Sequence, residues 1–398
     1  MELKRATAPY FRQRESIQSI GLSRLVAAGV LVLPALFVYG LRALLMTGAG
    51  VLGAVAVEAL WRYIRRADQT IGDLSAVYTG VLCALLLPAA APLWIPLAAG
   101  AFAVGVVKLP FGGLGRSPFC AAAGGYCFAA MMGAHLADLY NSALLTPEQQ
   151  KIFAALPERV FIHAEGSLPI LSDIAPLADV SNMLSTQMQL RAGMDPQLNL
   201  WGLLFTGGVG PMGSAVGCLA LVSAVWLLLR RAFAWQSSLV FALTVAALSF
   251  VAPWSAVEQT AMLPAYELLS GCGLLCAVFI AGDILTAPHT GSGRALYGLA
   301  AGVMTVILRR AGSTEGGEVF ALLLMNAAAS PIDHFVFWCR ERGISLAAYR
   351  HKISTFFRKK FGAKNRFDID VDELYEELER EKREKRKQQQ QQQRGGDR

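Results

Sequence analysis

The stretch TGVLCALLLPAAAPLWIPLAAGAFAVGVVKLPFGGLGRSPFCAAAGGY, residues 79–126, decides the class of fold. It begins with two apolar runs joined by a proline-containing turn, and a glycine-rich segment separates these from a third apolar run. A helix of about twenty apolar residues crosses a bilayer core of roughly 30 Å. The stretch therefore predicts consecutive membrane-spanning helices rather than a soluble domain.

The composition of the whole chain agrees with this prediction. Of its 398 residues, 54% are hydrophobic and only 16% are charged, whereas soluble domains have roughly a quarter charged residues. The seven cysteines form no CxxC pair with a matching second pair or a nearby histidine cluster. A self-contained zinc or iron–sulfur site is therefore not expected, and the cysteines are interpreted as packing residues.

Applied along the chain, the twenty-residue rule predicts an all-α integral membrane protein with about ten transmembrane helices. The predicted spans lie near residues 22–41, 43–61, 73–89, 92–108, 117–134, 211–229, 236–253, 262–281, 295–309 and 318–338. The predicted domains are a cytoplasmic N-terminal segment (1–21), a first transmembrane repeat (22–134), an extracytoplasmic loop (135–200), a second transmembrane repeat (201–340) and a cytoplasmic basic, glutamine-rich tail (341–398).

An internal match supports the division into two inverted five-helix repeats. TGVLCALLLP at residues 79–88 resembles CGLLCAVFIA at residues 272–281. Each copy is followed by a proline-containing turn, another span and a glycine-rich stretch. In the predicted topology the two copies cross the membrane in opposite directions. Inverted repeats of this kind place binding sites near the midplane, between the halves.

The distribution of charge predicts the orientation of the chain. The first twenty residues are polar and basic, so no signal peptide is expected, and a second basic region covers residues 352–366. The positive-inside rule then puts both termini in the cytoplasm of a multi-pass inner or plasma membrane protein. Basic ends that flank apolar spans do not indicate nucleic-acid binding. Arg309 and Arg310 are the exception, because this topology places them outside; protein rather than lipid around them would offset this departure from the rule.

A glycine-rich break in the apolar pattern is the first candidate ligand site. The segment KLPFGGLGRSPF contains Gly112, Gly113, Gly115 and Pro118. Non-helical backbone at membrane depth occurs only where protein buries it or where it lines a cavity. The segment could therefore pack helices tightly or face a ligand, and it lacks the spacing of a phosphate-binding loop.

Acidic residues within or beside the spans are the second group of candidates. IAGDILTAPHTGSGR places Asp283 and Thr286 near a membrane boundary, where ionisable groups tend to mark ion or ligand paths. Glu58 and Glu267 lie within predicted spans and are candidate ion-path residues. Glu58 could instead pair with Arg62 one turn away, and Glu267 could make a buried hydrogen bond.

Residues 79–126 resemble the D subunit of Rnf electron-transport complexes, a family related to the B subunit of the sodium-pumping NADH:quinone reductase. The family has a leucine-rich helix, a proline-rich turn and a signature of the type GGLGxNPFNPAxxGY. The second half agrees, because IAGDILTAPHTGSGRALYGLAAGVMTVILRRAG is similar to ATDPVTSP…GRxxYG…GxLTxxIRxxGG. EVFALLLMNAAASPID is also similar to VAFAxLLMNxxxPxID. The resemblance covers roughly residues 20–340.

The resemblance implies a membrane subunit of a complex that transfers electrons between reduced ferredoxin and NAD and exports Na⁺ or H⁺. The implied partners are the iron–sulfur and flavoprotein subunits of that complex, with membrane lipid around them. The implied cofactors are an FMN joined by a phosphoester to a threonine of the external loop, and a second flavin that is bound non-covalently. Riboflavin is a candidate for the second flavin. The candidate cofactor-binding residues are Ser185, Thr186, Gly112, Gly113, Gly115, Pro118, Asp283 and Thr286.

The external loop departs from the family at the flavin attachment motif. In NMLSTQMQLRAG, residues 182–193, LRAG aligns with the LKxG of the family, which places Ser185 at the flavin-bearing threonine. The preceding Met183 and Leu184 are bulkier than the small residues of the motif, and Thr186 is one position out of register. FMN on Ser185, FMN on Thr186 and no covalent flavin all stay open, and the sequence favours the last.

Two other functions stay open. A solute channel or transporter could use the same inverted-repeat plan without any redox role. A flavin-free assembly subunit would share the partners of the complex but bind no chromophore. Copurification with redox partners separates the first alternative from an Rnf-type subunit, and bound flavin separates the second.

Overall fold

A computed structural model of the chain describes residues 17–66, 71–132, 186–191, 200–205, 210–251, 262–311 and 316–342. Within these ranges the chain forms helices joined by turns and short breaks. Residues up to Trp338 belong to one compact unit, and the second unit begins at Cys339. The predicted cytoplasmic tail, most of the N-terminal segment and most of the external loop lie outside the described residues.

The first predicted repeat forms helices over nearly all of its described length. They are α1 (Ile17–Tyr39), α2 (Leu41–Arg65), α3 (Ser75–Leu86), α4 (Trp94–Lys108) and α5 (Ala121–Met132). Gly40 alone separates α1 from α2, and its φ of 65° is available to glycine at little cost. The last six residues of α4, Ala103–Lys108, are π-helical, a widened turn that is frequent at functional sites.

The second half begins with two short helices and continues with longer ones. They are α6 (Thr186–Arg191), α7 (Leu200–Phe205), α8 (Gly217–Leu229), α9 (Trp235–Val251), α10 (Leu263–Leu269), α11 (Gly273–Ile280), α12 (Gly291–Ala311) and α13 (Gly317–Glu341). α10 and α11 follow one another with a bend of 71° between their axes.

Every predicted span contains a helix, or in one case the bent pair α10–α11. In the described part of the chain, α1, α2, α12 and α13 are long and apolar enough to cross a membrane, and the bent pair would be a fifth span. α3, α4, α5, α8 and α9 are apolar but shorter. The prediction of an all-α, multi-pass membrane protein is therefore confirmed, whereas the ten spans and their inverted symmetry remain predictions.

Small residues bring the backbones of α2, α3 and α4 together. A Cβ atom added at Gly53 would lie 2.1 Å from the carbonyl oxygen of Leu97. Cβ atoms added at Gly100 and Gly80 would lie 2.3 and 2.6 Å from the carbonyl oxygen of Gly50. Membrane helices approach this closely only where glycine or another small residue removes the side chain. The glycines of this region therefore define a tightly packed three-helix contact.

The outer surface of the helices is apolar. Phe37, Met131 and Val251 are 88%, 81% and 76% exposed, and many other large apolar side chains are also exposed. A contiguous apolar surface of this kind is unusual for a protein in water and is expected for one in contact with lipid tails. The exposure pattern therefore agrees with the membrane class predicted from composition.

Polar contacts join α1 of the first half to α8 of the second. Trp226 donates from Nε1 to the carbonyl oxygen of Ser23 at 3.1 Å, and Arg230 donates from Nε to the hydroxyl of Ser23 at 3.0 Å. One turn along, the hydroxyl of Ser223 donates to the carbonyl oxygen of Ala27 at 3.0 Å. These bonds hold α1 against the second half, where it borders the cavity described next.

The α2–α4 contact can be tested with one pair of matched glycine substitutions on α2. Gly53→Ala puts a methyl group against the Leu97 carbonyl and is expected to lower stability by about 1–3 kcal/mol. Gly48→Ala has open space around it and should be neutral or slightly stabilising, because alanine favours helix more than glycine. Thermal unfolding of both variants in detergent measures the difference. Equal midpoints would contradict the packing described here.

Candidate functional site

A buried ion pair connects the two halves of the protein at one end of the helices. Arg24 of α1 donates from Nη2 to Oδ1 of Asp283, which follows α11. Both residues are buried, and Asp283 also accepts a hydrogen bond from the backbone N–H of Leu285 at 3.0 Å. An isolated charge in such a place is strongly unfavourable, so each residue requires the other. The pair fixes the segment after α11 against α1.

A second buried cation lies at the end of α4. The ammonium group of Lys108 is 3.2 Å from Oε2 of Glu58 and donates to the hydroxyl of Ser75 at 2.7 Å. Lys108 is 5% exposed and Glu58 is 2% exposed. Glu58 thus has a partner from another helix, which the sequence did not suggest. The region therefore contains two buried cations, Arg24 and Lys108, and each is balanced by a carboxylate.

The glycine-rich segment after α4 forms a tight irregular loop. Gly112, Gly113 and Gly115 have φ values of 106°, 91° and 77°, which residues with side chains rarely adopt. The hydroxyl of Ser117 lies 2.9 Å from the carbonyl oxygen of Val107 and 2.7 Å from that of Phe119. Glycine is needed here because the backbone adopts positive φ angles. The loop therefore has backbone without side chains at these three positions.

Two cavities adjoin this loop. The first has a volume of about 230 Å³ and is lined by Ile20, Gly21, Arg24, Asp73, Ser75, Tyr78, Thr79, Lys108, Gly113, Leu114, Gly115, Ser117, Cys120, Ala121, Ala122, Asp283, Leu285 and Thr286. The second has a volume of about 400 Å³ and reaches α13. Both are lined by Gly115, Ser117, Leu285 and Thr286. Elements of both halves therefore enclose the first cavity, with charged groups at its wall.

Thr286 is a buried polar residue at the boundary of the two cavities. It is 7% exposed, and among the described residues its hydroxyl oxygen has no hydrogen-bond partner. A buried hydroxyl without a partner costs about 1–3 kcal/mol, so such groups are rare and usually have a role. A polar ligand in either cavity would supply the missing hydrogen bond.

The structure brings together most of the residues that the sequence proposed for ligand binding. Gly113, Gly115, Asp283 and Thr286 line the first cavity, and Pro118 lines the second. Gly112 belongs to the same loop but does not line either cavity. Its Cβ position is 2.9 Å from the side chain of Arg116, so this glycine serves the fold of the loop.

The candidate flavin attachment residues lie elsewhere. Ser185 is outside the described residues. Thr186 begins α6, where it is 4% exposed, and Leu190 of the same helix packs with Leu263 and Tyr266 of α10. A hydroxyl buried in this way offers little room for a phosphoester. Thr186 also lines neither cavity.

Glu267, the other predicted ion-path residue, belongs to a separate charged cluster. Its carboxylate accepts a hydrogen bond from the hydroxyl of Ser249 at 2.5 Å and lies 3.9 Å from Nη2 of Arg310. Arg309 is buried and forms an ion pair with Glu318. Protein, not lipid, therefore surrounds Arg309. This is the environment that would offset the placement of Arg309 outside in the predicted topology.

Sequence reasoning missed most of the residues that line the first cavity, among them Arg24, Tyr78 and Lys108. Arg24 had a detectable signal, because it is a cation inside the apolar run of the first predicted span. Lys108 stands next to a predicted span end, where a lysine is usually solvated. No group of three or more His, Cys, Asp or Glu side chains in the described ranges is placed to hold a metal ion.

The fold and the cavity define a multi-pass membrane protein with a ligand-sized space between its halves, and sequence comparison gives its family. The chain belongs to the NQR2, RnfD, RnfE family, which it matches over residues 4–338. The resemblance found in the sequence is thus confirmed. Members of this family carry flavin.

Individual relatives match along nearly their whole length. The chain is 30% identical over 344 residues to the D subunit of the Na(+)-translocating ferredoxin:NAD(+) oxidoreductase complex of Acetobacterium woodii, and the match covers 84% of this chain and 94% of that protein. It is 29% identical over 348 residues to the D subunit of the ion-translocating oxidoreductase complex of Salmonella paratyphi A, with 84% and 97% covered. The corresponding protein of Salmonella typhimurium gives the same identity and coverage.

The inter-half ion pair makes a prediction about stability. Arg24→Met leaves the Asp283 carboxylate buried without its cation and should cost roughly 3–5 kcal/mol. Asp283→Asn should also lower stability, because it leaves the Arg24 guanidinium buried without its carboxylate. The double variant should lose less than the sum of the two single variants, because it leaves no unpaired charge. The free energy of unfolding in mixed micelles, measured for the wild type, both single variants and the double variant, gives the coupling energy between the two residues. Strictly additive losses of stability would contradict a direct ion pair.

Proposed function

We propose that this chain is the D subunit of an Rnf-type complex, which couples electron transfer between ferredoxin and NAD to Na⁺ or H⁺ export. The observation that carries the proposal is the family match over residues 4–338, together with relatives of that name aligned over more than nine-tenths of their length. Iron–sulfur and flavoprotein subunits of the same complex are the proposed partners. The chain acts as a subunit of the translocase rather than as an enzyme alone.

The first cavity is the proposed site of a non-covalent flavin, riboflavin or FMN. Its residues suit such a group: Gly113 and Gly115 leave backbone exposed to a flat ring, and the hydroxyl of Thr286 lacks a partner. Arg24 of α1 and Asp283, in the segment after α11, supply a pair of opposite charges at the wall. A bound flavin supplies the one- and two-electron chemistry of the complex. This chain contributes attachment, exclusion of water and a fixed electrostatic surrounding.

The charged groups of the wall are two cations, Arg24 and Lys108, and two carboxylates, Asp73 and Asp283, so the wall offers fixed groups of both signs to a ligand. Arg24 and Lys108 both line the cavity, and each is held in place by its own carboxylate or hydroxyl partner. Cations that are already positioned need no reorganisation when a ligand binds, which strengthens their effect in a site with little water. Tyr78 adds an aromatic side chain on the same wall.

The ten helices or helix pairs are proposed to be spans in two inverted five-helix repeats, with ion movement between the halves. Two features support this plan. Each half has five helices or helix pairs at the predicted spans, and each half has a buried cation near the end of its fourth helix, Lys108 in α4 and Arg309 in α12. Glu58 and Glu267 are the proposed ion-path carboxylates, because both are buried within predicted spans.

A flavin covalently bound to the external loop is not part of the proposal. Thr186 is buried, and the sequence around Ser185 departs from the attachment motif. All the flavin held by this chain is therefore expected to dissociate when the protein is denatured. A solute transporter without redox partners and a flavin-free assembly subunit remain the competing functions.

Flavin binding by the purified complex tests the proposed site. Thr286→Val removes one neutral hydrogen bond to the ligand and should raise the dissociation constant of the flavin roughly 3- to 10-fold. The flavin released on denaturation, measured by fluorescence after stepwise dialysis, gives the affinity. Copurified iron–sulfur subunits report whether the complex is intact.

Thr305→Val is the matched control for this experiment. Thr305 is also a buried threonine whose hydroxyl has no partner among the described residues, but it does not line either cavity. Its substitution should leave flavin affinity unchanged. Equal effects of the two substitutions, or a wild-type complex without flavin, would overturn the proposed site. A chain that purifies without redox partners would favour the transporter.

A further inference from the structure

The bend between α10 and α11 breaks a helix inside a predicted span. α10 ends at Leu269 and α11 begins at Gly273, with Gly271 at a φ of 61° between them. A break leaves carbonyl groups at the end of one helix and N–H groups at the start of the next without helical partners. At membrane depth these groups must be satisfied by protein or by a bound species.

One guanidinium group donates hydrogen bonds to two carbonyl groups of the break. Arg309, in the last turn of α12, donates from Nη1 to the carbonyl oxygen of Glu267 and from Nη2 to that of Ser270. The same guanidinium pairs with Glu318 of α13, with Nε 3.2 Å from Oε2 and Nη2 3.2 Å from Oε1. Arg309 is 7% exposed and Glu318 is fully buried.

Glu318 completes the other side of the break. Its Oε1 accepts the backbone N–H of Cys272, the residue that precedes α11, at 2.8 Å. A carboxylate in this position is also favoured by the dipole of the helix that follows. The carboxylate therefore connects the guanidinium of Arg309 to the second half-helix. The positive and negative charges within the break cancel.

Four oxygen atoms surround the guanidinium of Arg309. They are the carbonyl oxygens of Glu267 and Ser270 and both carboxylate oxygens of Glu318. Carbonyl and carboxylate oxygens are the ligands that hard cations prefer. Unwound backbone and half-helix ends of broken membrane helices coordinate Na⁺ in transporters. The oxygens around the guanidinium are thus of the kind that would suit a free metal cation.

Gly273 keeps this position open. A Cβ atom there would lie 2.9 Å from Nη2 of Arg309 and 2.6 Å from the carbonyl oxygen of Leu268. A larger residue at this position would therefore collide with the guanidinium group that lies in the break. The neighbouring Glu267 carboxylate has its own partners, Ser249 and Arg310.

We propose that the break is a binding site for a dehydrated Na⁺-sized cation and that Arg309 occupies it as a tethered competitor. The proposal rests on the ion-translocating function proposed above and names a site for that ion. Na⁺ enters only when the guanidinium leaves, because two cations beside the single Glu318 carboxylate would leave excess charge in a buried place. Exchange of one cation for the other keeps the break neutral. Arg309 thereby controls whether the second half accepts an ion.

Removing the tethered cation should expose the site to Na⁺. In the purified complex, Arg309→Ala is expected to bind one more Na⁺ per copy of this chain than the wild type, measured by equilibrium binding of radioactive Na⁺. Its thermal midpoint should rise by roughly 3 °C or more when NaCl replaces choline chloride at equal ionic strength. The wild type should show neither effect, because the guanidinium already fills the site.

Three controls define the result. Arg310→Ala removes the neighbouring cation, whose guanidinium faces the Glu267 carboxylate, and should behave as wild type. Arg309→Lys keeps a tethered charge and should bind no additional Na⁺. Arg309→Ala combined with Glu318→Val removes the carboxylate and should abolish the Na⁺ response.

Several results would overturn the proposal. They are an Arg309→Ala complex that responds equally to NaCl and choline chloride, a double variant that still gains Na⁺, and an Arg309→Ala complex that cannot be isolated even in Na⁺ buffer although Arg309→Lys can. The last result would mean that a free cation does not replace the guanidinium. Because binding is measured without turnover, copurified partners and released flavin separately show whether the proposed function itself holds.

Discussion

The ion pair between Arg24 and Asp283 is the contact on which the proposed ligand site depends. It joins α1 of the first half to the segment after α11 of the second. In a region with little water, neither charge is tolerated without the other, so the pair fixes the relative position of two elements far apart in sequence. Thr286 follows Asp283 by three residues, and its position at the cavity wall is set by the same contact.

A common physical rule explains the other charged groups of the described helices. Each buried cation is placed where backbone or carboxylate oxygens would otherwise lack a partner. Lys108 ends α4 and binds Glu58 and Ser75, and Arg309 closes the break between α10 and α11. These charges are costly to bury, so their presence indicates functional positions more than stability. The cavity and the break are the two places where such groups converge.

Much of the fold could be predicted from local properties of the sequence. Apolar runs of about twenty residues identified every long helix, because the length that crosses a bilayer is fixed by the bilayer itself. One start was less accurate: the span predicted to begin at residue 117 contains a helix that begins at Ala121. The glycine-rich loop includes residues 117–120, immediately before that helix, and several residues before these. A hydropathy window does not separate the loop from the helix.

The site could be predicted only in part. Gly113, Gly115 and Asp283 were recognisable from a glycine-rich break and from a charge near a membrane boundary. The pairing of Asp283 with Arg24 was not, because it joins residues 259 positions apart and depends on how the two halves pack. The sequence offered Arg62 as a partner for Glu58 one turn away, but it did not indicate the ion pair of Glu58 with Lys108, 50 residues away.

The central claim is that a flavin occupies the cavity between the halves of a chain that works within a redox complex. The most direct test is an electron cryo-microscopy map of the complex purified from its native membrane. Flat, three-ring density is expected between the glycine loop and Thr286, with iron–sulfur and flavoprotein subunits around the chain. A cavity filled by a lipid chain, or a chain that stands without redox partners, would contradict it.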